Sequence, residues 1–89
     1  MSIMEERFKR AYQVLDKEIK DNYPEPEDYN KFVMCDMVDL MWLRNEARLW
    51  EDYKEDSSWI INGVNYDPNH PDNLSDSVYK LWQQVHQNG

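Results

Sequence analysis

The chain has 89 residues and is strongly acidic, with eighteen Asp and Glu against ten Lys and Arg and a formal charge of -8 at pH 7. Such a surface repels nucleic acids and anionic membranes, which argues against direct binding to either and indicates a basic partner. No stretch approaches the roughly 20 apolar residues that span a bilayer, so we expect a cytoplasmic protein.

The length suits one small acidic domain over residues 1–89. Four Trp, six Tyr and two Phe supply a large buried area for a chain of this size. Cys35 is the only cysteine, so an intrachain disulfide is excluded and a reducing compartment is expected. Five Lys or Arg against four Asp or Glu leave +1 on residues 1–20, so residues 21–89 carry -9.

The first predicted element is a helix near the N-terminus. Ser2 and Glu5 have the spacing of a capping box, which satisfies free backbone N–H groups of a first turn. Apolar side chains then recur at steps of three and four, as one helical face requires. The stripe comprises Met4, Phe8, Ala11, Tyr12, Leu15 and Ile19. The segment 22–26, with two prolines, ends this helix.

A second, long helix is predicted from Pro26 to about Asp56, because a proline and two carboxylates suit a first turn. Its stretch 32–43, which begins with Phe32 and ends with Leu43, has ten apolar residues out of twelve. A helix that is apolar on most sides must be covered. We therefore expect a homodimer or higher oligomer through this stretch, unless the rest of the chain wraps around it.

Residues 59–66 predict a β-hairpin, because Asn62 and Gly63 form a type I′ turn dipeptide between two short apolar runs. A last helix, capped by Asn73 or Ser75, follows a loop rich in turn residues. Its apolar stripe is Leu74, Val78, Leu81, Trp82 and Val85. The predicted fold is mainly α, of the α+β class: a two-helix hairpin with a long second helix, a small β-hairpin and a C-terminal helix, in the order α-α-β-β-α.

The side chains that carry most enzyme chemistry are few. Cys35, His70 and His86 lie outside normal metal-ligand spacing, and the chain has no glycine-rich phosphate loop. We expect Cys35 to be buried and inert and both histidines to be solvated. Asp36 and Asp39 are three apart and suit Mg²⁺, but a solvated stripe or ion pairs to the first helix are the simpler interpretation. The sequence therefore predicts no enzyme activity, catalytic residue, cofactor or metal.

Two acidic clusters are the candidate partner-binding residues. The first comprises Glu25, Glu27 and Asp28, and the second comprises Glu51, Asp52, Glu55 and Asp56. A helix of about 30 residues between them would separate them by roughly 45 Å, a spacing that suits phosphate mimicry along a nucleic-acid groove. Trp59, next to the second cluster, suits either an interface anchor or a core position.

An alternative site lies on the first helix. Arg7, Phe8, Arg10 and Tyr12 combine guanidinium groups with aromatic rings, a mixture that grips phosphorylated ligands by charge pairing and stacking. This interpretation predicts an oligomeric sponge that sequesters a phosphorylated signalling nucleotide. However, the two aromatic residues also belong to the apolar stripe of the helix.

In size and charge, the chain is similar to phage-encoded inhibitors of bacterial defence, such as anti-CRISPR and anti-restriction proteins, and to immunity proteins that neutralise basic nucleases. This similarity covers no specific segment and carries over no residues. The leading hypothesis is a non-enzymatic inhibitor or interaction protein that blocks a basic nuclease or other nucleic-acid-binding enzyme, in the host cytoplasm if the gene belongs to a phage. The alternatives are the nucleotide sponge and an immunity or adaptor subunit.

Overall fold

The computed structural model describes residues 3–34 and 39–87 and contains four α-helices and one β-hairpin. The elements are α1 (Ile3–Asn22), α2 (Pro26–Val33), α3 (Met41–Glu46), a 3₁₀ turn (Ser57–Trp59), β1 (Ile60–Ile61), β2 (Val64–Asn65) and α4 (Pro71–Gln87). The structure is 66% helical, which confirms the predicted mainly α, α+β class with a small hairpin and a C-terminal helix. The capping box at Ser2 lies outside the described residues.

The predicted long second helix is interrupted, so its expected span from Pro26 to about Asp56 is corrected here. Helix α2 ends at Val33, and α3 begins at Met41, whose N–H donates to Oδ1 of Asp39 at 3.0 Å. Aspartate accepts such hydrogen bonds readily and so favours a new helix start. The residues between 34 and 39 include Cys35 and Asp36, which lie outside the described ranges.

Helix α3 ends in a Schellman motif. The N–H of Leu49 donates to the carbonyl of Arg44 at 2.9 Å, and the N–H of Arg48 donates to the carbonyl of Asn45 at 3.2 Å. Arg48 has a φ of 55°, in the left-handed region that this motif requires. Glycine usually occupies that position. Because an arginine stands there instead, the sequence carries no glycine signal for the end of this helix.

One core joins all four helices, with α4 packed against each of α1, α2 and α3. The buried apolar residues are Ala11, Leu15, Ile19, Val33, Leu40, Leu43, Ala47, Leu49, Leu74, Val78, Tyr79 and Trp82. Most of the predicted stripes are therefore buried, but Leu81 and Val85 are exposed. Ser75 and Tyr79 are buried instead, because they face α3 and α2: Ser75 Oγ accepts from Arg44 Nε at 3.0 Å, and Tyr79 OH donates to the Phe32 carbonyl at 2.7 Å.

The apolar stretch 32–43 is partly covered by the chain itself. Val33, Leu40 and Leu43 are buried in the shared core, whereas Met34 and Met41 are exposed. Val33, Leu40 and Leu43 are therefore shielded from water without a second subunit. The oligomer that we expected through this stretch stays a prediction.

The β-hairpin forms as predicted. Ile61 pairs with Val64, Ile60 pairs with Asn65, and the Tyr66 N–H donates to the Trp59 carbonyl at 3.0 Å. The turn residues Asn62 and Gly63 have φ values of 52° and 80°, as a type I′ turn requires.

Replacing Gly63 with alanine should weaken the hairpin by about 1–2 kcal/mol, because a Cβ is unfavourable at positive φ. An added Cβ meets no atom within 4 Å, so the cost is in the backbone alone. Hydrogen exchange of the Tyr66 amide should become about 5–30-fold faster. Gly63→Asn is the control, since asparagine tolerates this conformation and should change exchange less. Equal exchange in the alanine variant and the original protein would contradict this assignment of the turn.

Candidate partner-binding surface

A single buried guanidinium holds both ends of the segment that carries the hairpin. Arg7 is 0% exposed; its Nη2 donates to the Leu49 carbonyl, and its Nη1 donates to the Asn69 carbonyl at 2.8 Å and to the Asn69 side-chain oxygen. Its Nε lies 3.0 Å from Oδ1 of Asp52, an ion pair without the geometry of a hydrogen bond. Leu49 precedes the hairpin segment and Asn69 follows it, so Arg7 closes the base of this segment.

Arg10 ties the same turn to α1. Its Nε donates to the Ala47 carbonyl at 2.7 Å, and its Nη2 lies 3.2 Å from Oδ2 of Asp52. The two arginines thus converge on one carboxylate. Together they satisfy carbonyls that the end of α3 and the turn after it would otherwise leave unpaired.

The structure places the alternative ligand residues Arg7, Phe8, Arg10 and Tyr12 mainly in internal contacts. Arg7 has no exposed surface, and Phe8 and Tyr12 are partly buried against the core. Burial, followed by the nearby Asp16 carboxylate, raises the pKa of Tyr12 above its usual value of 10.0. Binding a phosphate at Arg7 would require breaking the contacts that hold Leu49 and Asn69.

The second acidic cluster forms an exposed segment between α3 and the hairpin. Glu51 and Glu55 are exposed and, within the part of the chain that the structure describes, their carboxylates form no ion pair or hydrogen bond. Asp52 is shared between two arginines, and Asp56 accepts hydrogen bonds from Ser58. Glu51 and Glu55 are therefore the carboxylates most available to a partner.

Asp56 fixes the entry to the hairpin. Its Oδ1 accepts from the Ser58 hydroxyl at 2.6 Å and from the Ser58 N–H at 3.0 Å, which caps the 3₁₀ turn before β1. The hydroxyl, and then the backbone N–H, lower the pKa of Asp56 below its usual 3.8.

We expect this cap to be pH-dependent. Because the folded-state pKa is lowered, the contribution of Asp56 to stability is present above pH 3.8 and is lost as the pH falls through the folded value. The Ser58 amide resonance should shift as the pH falls in this range, and Asp56→Asn should abolish that shift. A Ser58 resonance with the same pH dependence in both proteins would contradict the cap.

The first acidic cluster lies at the start of α2. Glu25 precedes the helix and its carbonyl accepts from the Asp28 N–H at 2.9 Å, while Glu27 lies in the first turn. All three side chains are exposed and favour the positive end of the helix dipole. The interruption of the long helix removes the basis for the expected separation of roughly 45 Å between the two clusters along one axis.

The outer face of the hairpin is apolar and exposed. The pairs Trp59–Tyr66 and Ile61–Val64 lie on one side of the ladder, because side chains alternate between its two sides. Their exposed fractions are 43% for Trp59, 57% for Ile61, 50% for Val64 and 58% for Tyr66. We call these four residues the hairpin face. Only Trp59 was expected at the surface from the sequence, because alternation places the four residues on one side of the hairpin but does not show which side faces water.

Strand β2 is attached to the body of the protein. Asn73 Nδ2 donates to the Asn65 carbonyl at 2.9 Å and to the Asp67 carbonyl at 2.8 Å, which joins β2 to the first turn of α4. Asn65 Nδ2 also approaches the hydroxyl of Tyr53 at 3.4 Å. Of the two residues on the opposite side, Asn65 is half-buried and reaches Tyr53, whereas Ile60 is 37% exposed, so the hairpin face is the more exposed of the two sides.

Both histidines are packed rather than solvated, which corrects that expectation. His70 contacts the rings of Trp50 and Tyr53, and its Nδ1 accepts from the Asp72 N–H at 3.1 Å. His86 stacks on Trp82, with ring centroids 4.1 Å apart.

Over residues 3–34 and 39–87, no group of three His, Cys, Asp or Glu side chains is placed to hold a metal ion. In the same ranges, no helix is long and apolar enough to cross a membrane. No protein-family model, curated protein or solved structure matches the chain.

Proposed function

We propose that this chain is a non-enzymatic interaction protein that inhibits a basic nucleic-acid-binding protein by covering its basic surface. The observation that carries the proposal is the exposed acidic segment, with Glu51 and Glu55 unpaired in the described structure, that leads directly to the exposed Trp59. Carboxylates beside an exposed aromatic side chain are suited to a basic partner, because charge steers the encounter and an aromatic group anchors it.

The attachment of this segment at its base supports the same role. Arg7 contacts both Leu49 and Asn69, so the carboxylates and the hairpin are held to α1 before any partner arrives. A preordered surface loses less conformational entropy on binding than a mobile loop does. The smaller entropy loss raises the affinity of the inhibitor, which must compete with nucleic acid for the nuclease.

The size and charge of the chain suit a phage-encoded inhibitor of bacterial defence, and this sets the first test. The purified protein should be added to DNA-cleavage reactions of guide-RNA nucleases and restriction endonucleases over a range of salt concentrations. We expect inhibition of at least one enzyme, with an affinity that falls as salt rises, because charges at an interface rim are screened over about 8 Å at physiological ionic strength.

The double variant Glu51→Lys, Glu55→Lys should weaken that inhibition about tenfold or more, because two attractive contacts become repulsive. The matched control is Glu25→Lys, Glu27→Lys, which changes the net charge equally at the other cluster. Equal effects of the two variants would show that only net charge matters, and inhibition that does not respond to salt would contradict the electrostatic mechanism.

A further inference from the structure

We infer that the hairpin face of Trp59, Ile61, Val64 and Tyr66 is the anchor of the binding surface, and that its partner is a basic protein surface with an apolar strip at its centre. This inference rests on the proposed function and deepens it. In this inference, the hairpin supplies most of the binding energy. The carboxylates beside it orient the partner and raise the rate of encounter.

The four residues of the hairpin face form one exposed apolar patch. Their exposed fractions lie between 43% and 58%. With areas of about 150–250 Å² for each aromatic side chain and somewhat less for the aliphatic ones, the face exposes on the order of 400 Å². This area is comparable with the largest apolar patch on a typical soluble monomer, and such a patch is often functional.

The hairpin face is uncharged but has acidic neighbours. Residues 57–66 contain no charged side chain, in a chain in which 31% of residues are charged. Glu55 and Asp56 come directly before this stretch, and Asp56 is hydrogen-bonded to Ser58, the neighbour of Trp59. An apolar centre beside carboxylates is complementary to an apolar strip beside lysines or arginines.

A second copy of the chain fits this face poorly. Two such faces together would bury on the order of 800 Å², whereas stable interfaces bury about 1,200–2,000 Å² in total. The remaining area would have to come from the surroundings of the face, where the acidic segment of one copy would meet that of the other. Each copy also carries a charge of -8. With a basic partner, the acidic residues around the hairpin face would form favourable contacts instead.

The test uses two synthetic peptides as probes: an amphipathic peptide of leucine and lysine, and a matched peptide in which serine replaces every leucine. Binding is measured by calorimetry, and the contacted residues are mapped by amide chemical shifts. The acidic surface alone should bind both peptides. The hairpin anchor predicts that the leucine peptide binds about tenfold or more tightly than the serine peptide, with shifts concentrated at residues 59–66.

Val64→Asp and Val85→Asp form a matched pair, because both valines are 50% exposed and only Val64 belongs to the hairpin face. We expect Val64→Asp to abolish the preference for the leucine peptide and Val85→Asp to retain it. If both peptides bind equally to the original protein, or if the preference survives Val64→Asp, the hairpin anchor is overturned and the proposed function stands. If neither peptide binds, the proposed function fails together with the anchor.

Discussion

Replacing Arg7 with methionine is expected to lower the free energy of unfolding by about 3–5 kcal/mol, the largest effect that we predict for a polar side chain in this protein. Arg7 is 0% exposed and donates to the carbonyls of Leu49 and Asn69. Methionine fills a similar volume but leaves those acceptors without a donor, and each buried unpaired polar group costs about 1–3 kcal/mol. Urea denaturation monitored by tryptophan fluorescence measures the loss.

Arg10→Met is the matched control for this variant. Arg10 also contacts Asp52 and a backbone carbonyl, but its side chain is 40% exposed. Water can replace its contacts, so we expect a loss of about 1 kcal/mol. Small domains are stable by only about 5–15 kcal/mol, so Arg7→Met can leave the chain partly unfolded. In that case the comparison is made in an osmolyte such as sucrose, which favours the folded state. Equal losses for the two variants would contradict the central role of Arg7.

The milder variant Arg7→Lys separates charge from geometry. Lysine retains the positive charge but cannot donate from a planar fork to two carbonyls at once. We therefore expect Arg7→Lys to be destabilised nearly as strongly as Arg7→Met, with faster amide exchange in the hairpin segment. Full stability of Arg7→Lys would show that charge alone explains the contribution of this residue.

Replacing Trp82 with alanine is expected to cost about 3–5 kcal/mol, because it removes the largest buried side chain and leaves a cavity. Trp82 is fully buried in α4, and its ring contacts Tyr29 and stacks on His86. Its Nε1 also donates to Oδ1 of Asp16 at 3.1 Å, which joins α4 to α1. Thermal and urea unfolding should both show the loss.

Trp50→Ala removes the same side chain from a position that is 52% exposed, and it should cost about 1 kcal/mol or less. Trp82→Phe retains most of the packing and loses the hydrogen bond to Asp16, so an intermediate loss is expected. If Trp50→Ala and Trp82→Ala were equally unstable, the core of this protein would not be where the structure places it.

Local patterns in the sequence predict much of this fold. The turn dipeptide of Asn62 and Gly63 predicts the hairpin, because two neighbouring residues with positive φ are sufficient to reverse the chain. The buried positions Ala11, Leu15 and Ile19 follow from helical periodicity, as do Leu74, Val78 and Trp82 in α4. Each of these features depends on residues that are close in sequence.

The candidate surface was predicted less completely. Its acidic residues and Trp59 are recognisable in the sequence, whereas the exposure of Ile61, Val64 and Tyr66 is not. Which side of a hairpin faces water depends on how the strands are attached to the rest of the protein, and here Asn73 of α4 holds the backbone of β2. Two-residue strands carry too little alternation to reveal that choice in advance.

The fold class, the hairpin, the helical stripes and the acidic charge follow from composition and short-range periodicity alone. The break after Val33, the exposure of the hairpin face and the burial of Arg7 depend on contacts between distant parts of the chain. The role of Arg7 depends on acceptors 42 and 62 residues away in the chain. A charged side chain becomes a core residue only when folding brings such acceptors to it, because burial without them is too costly.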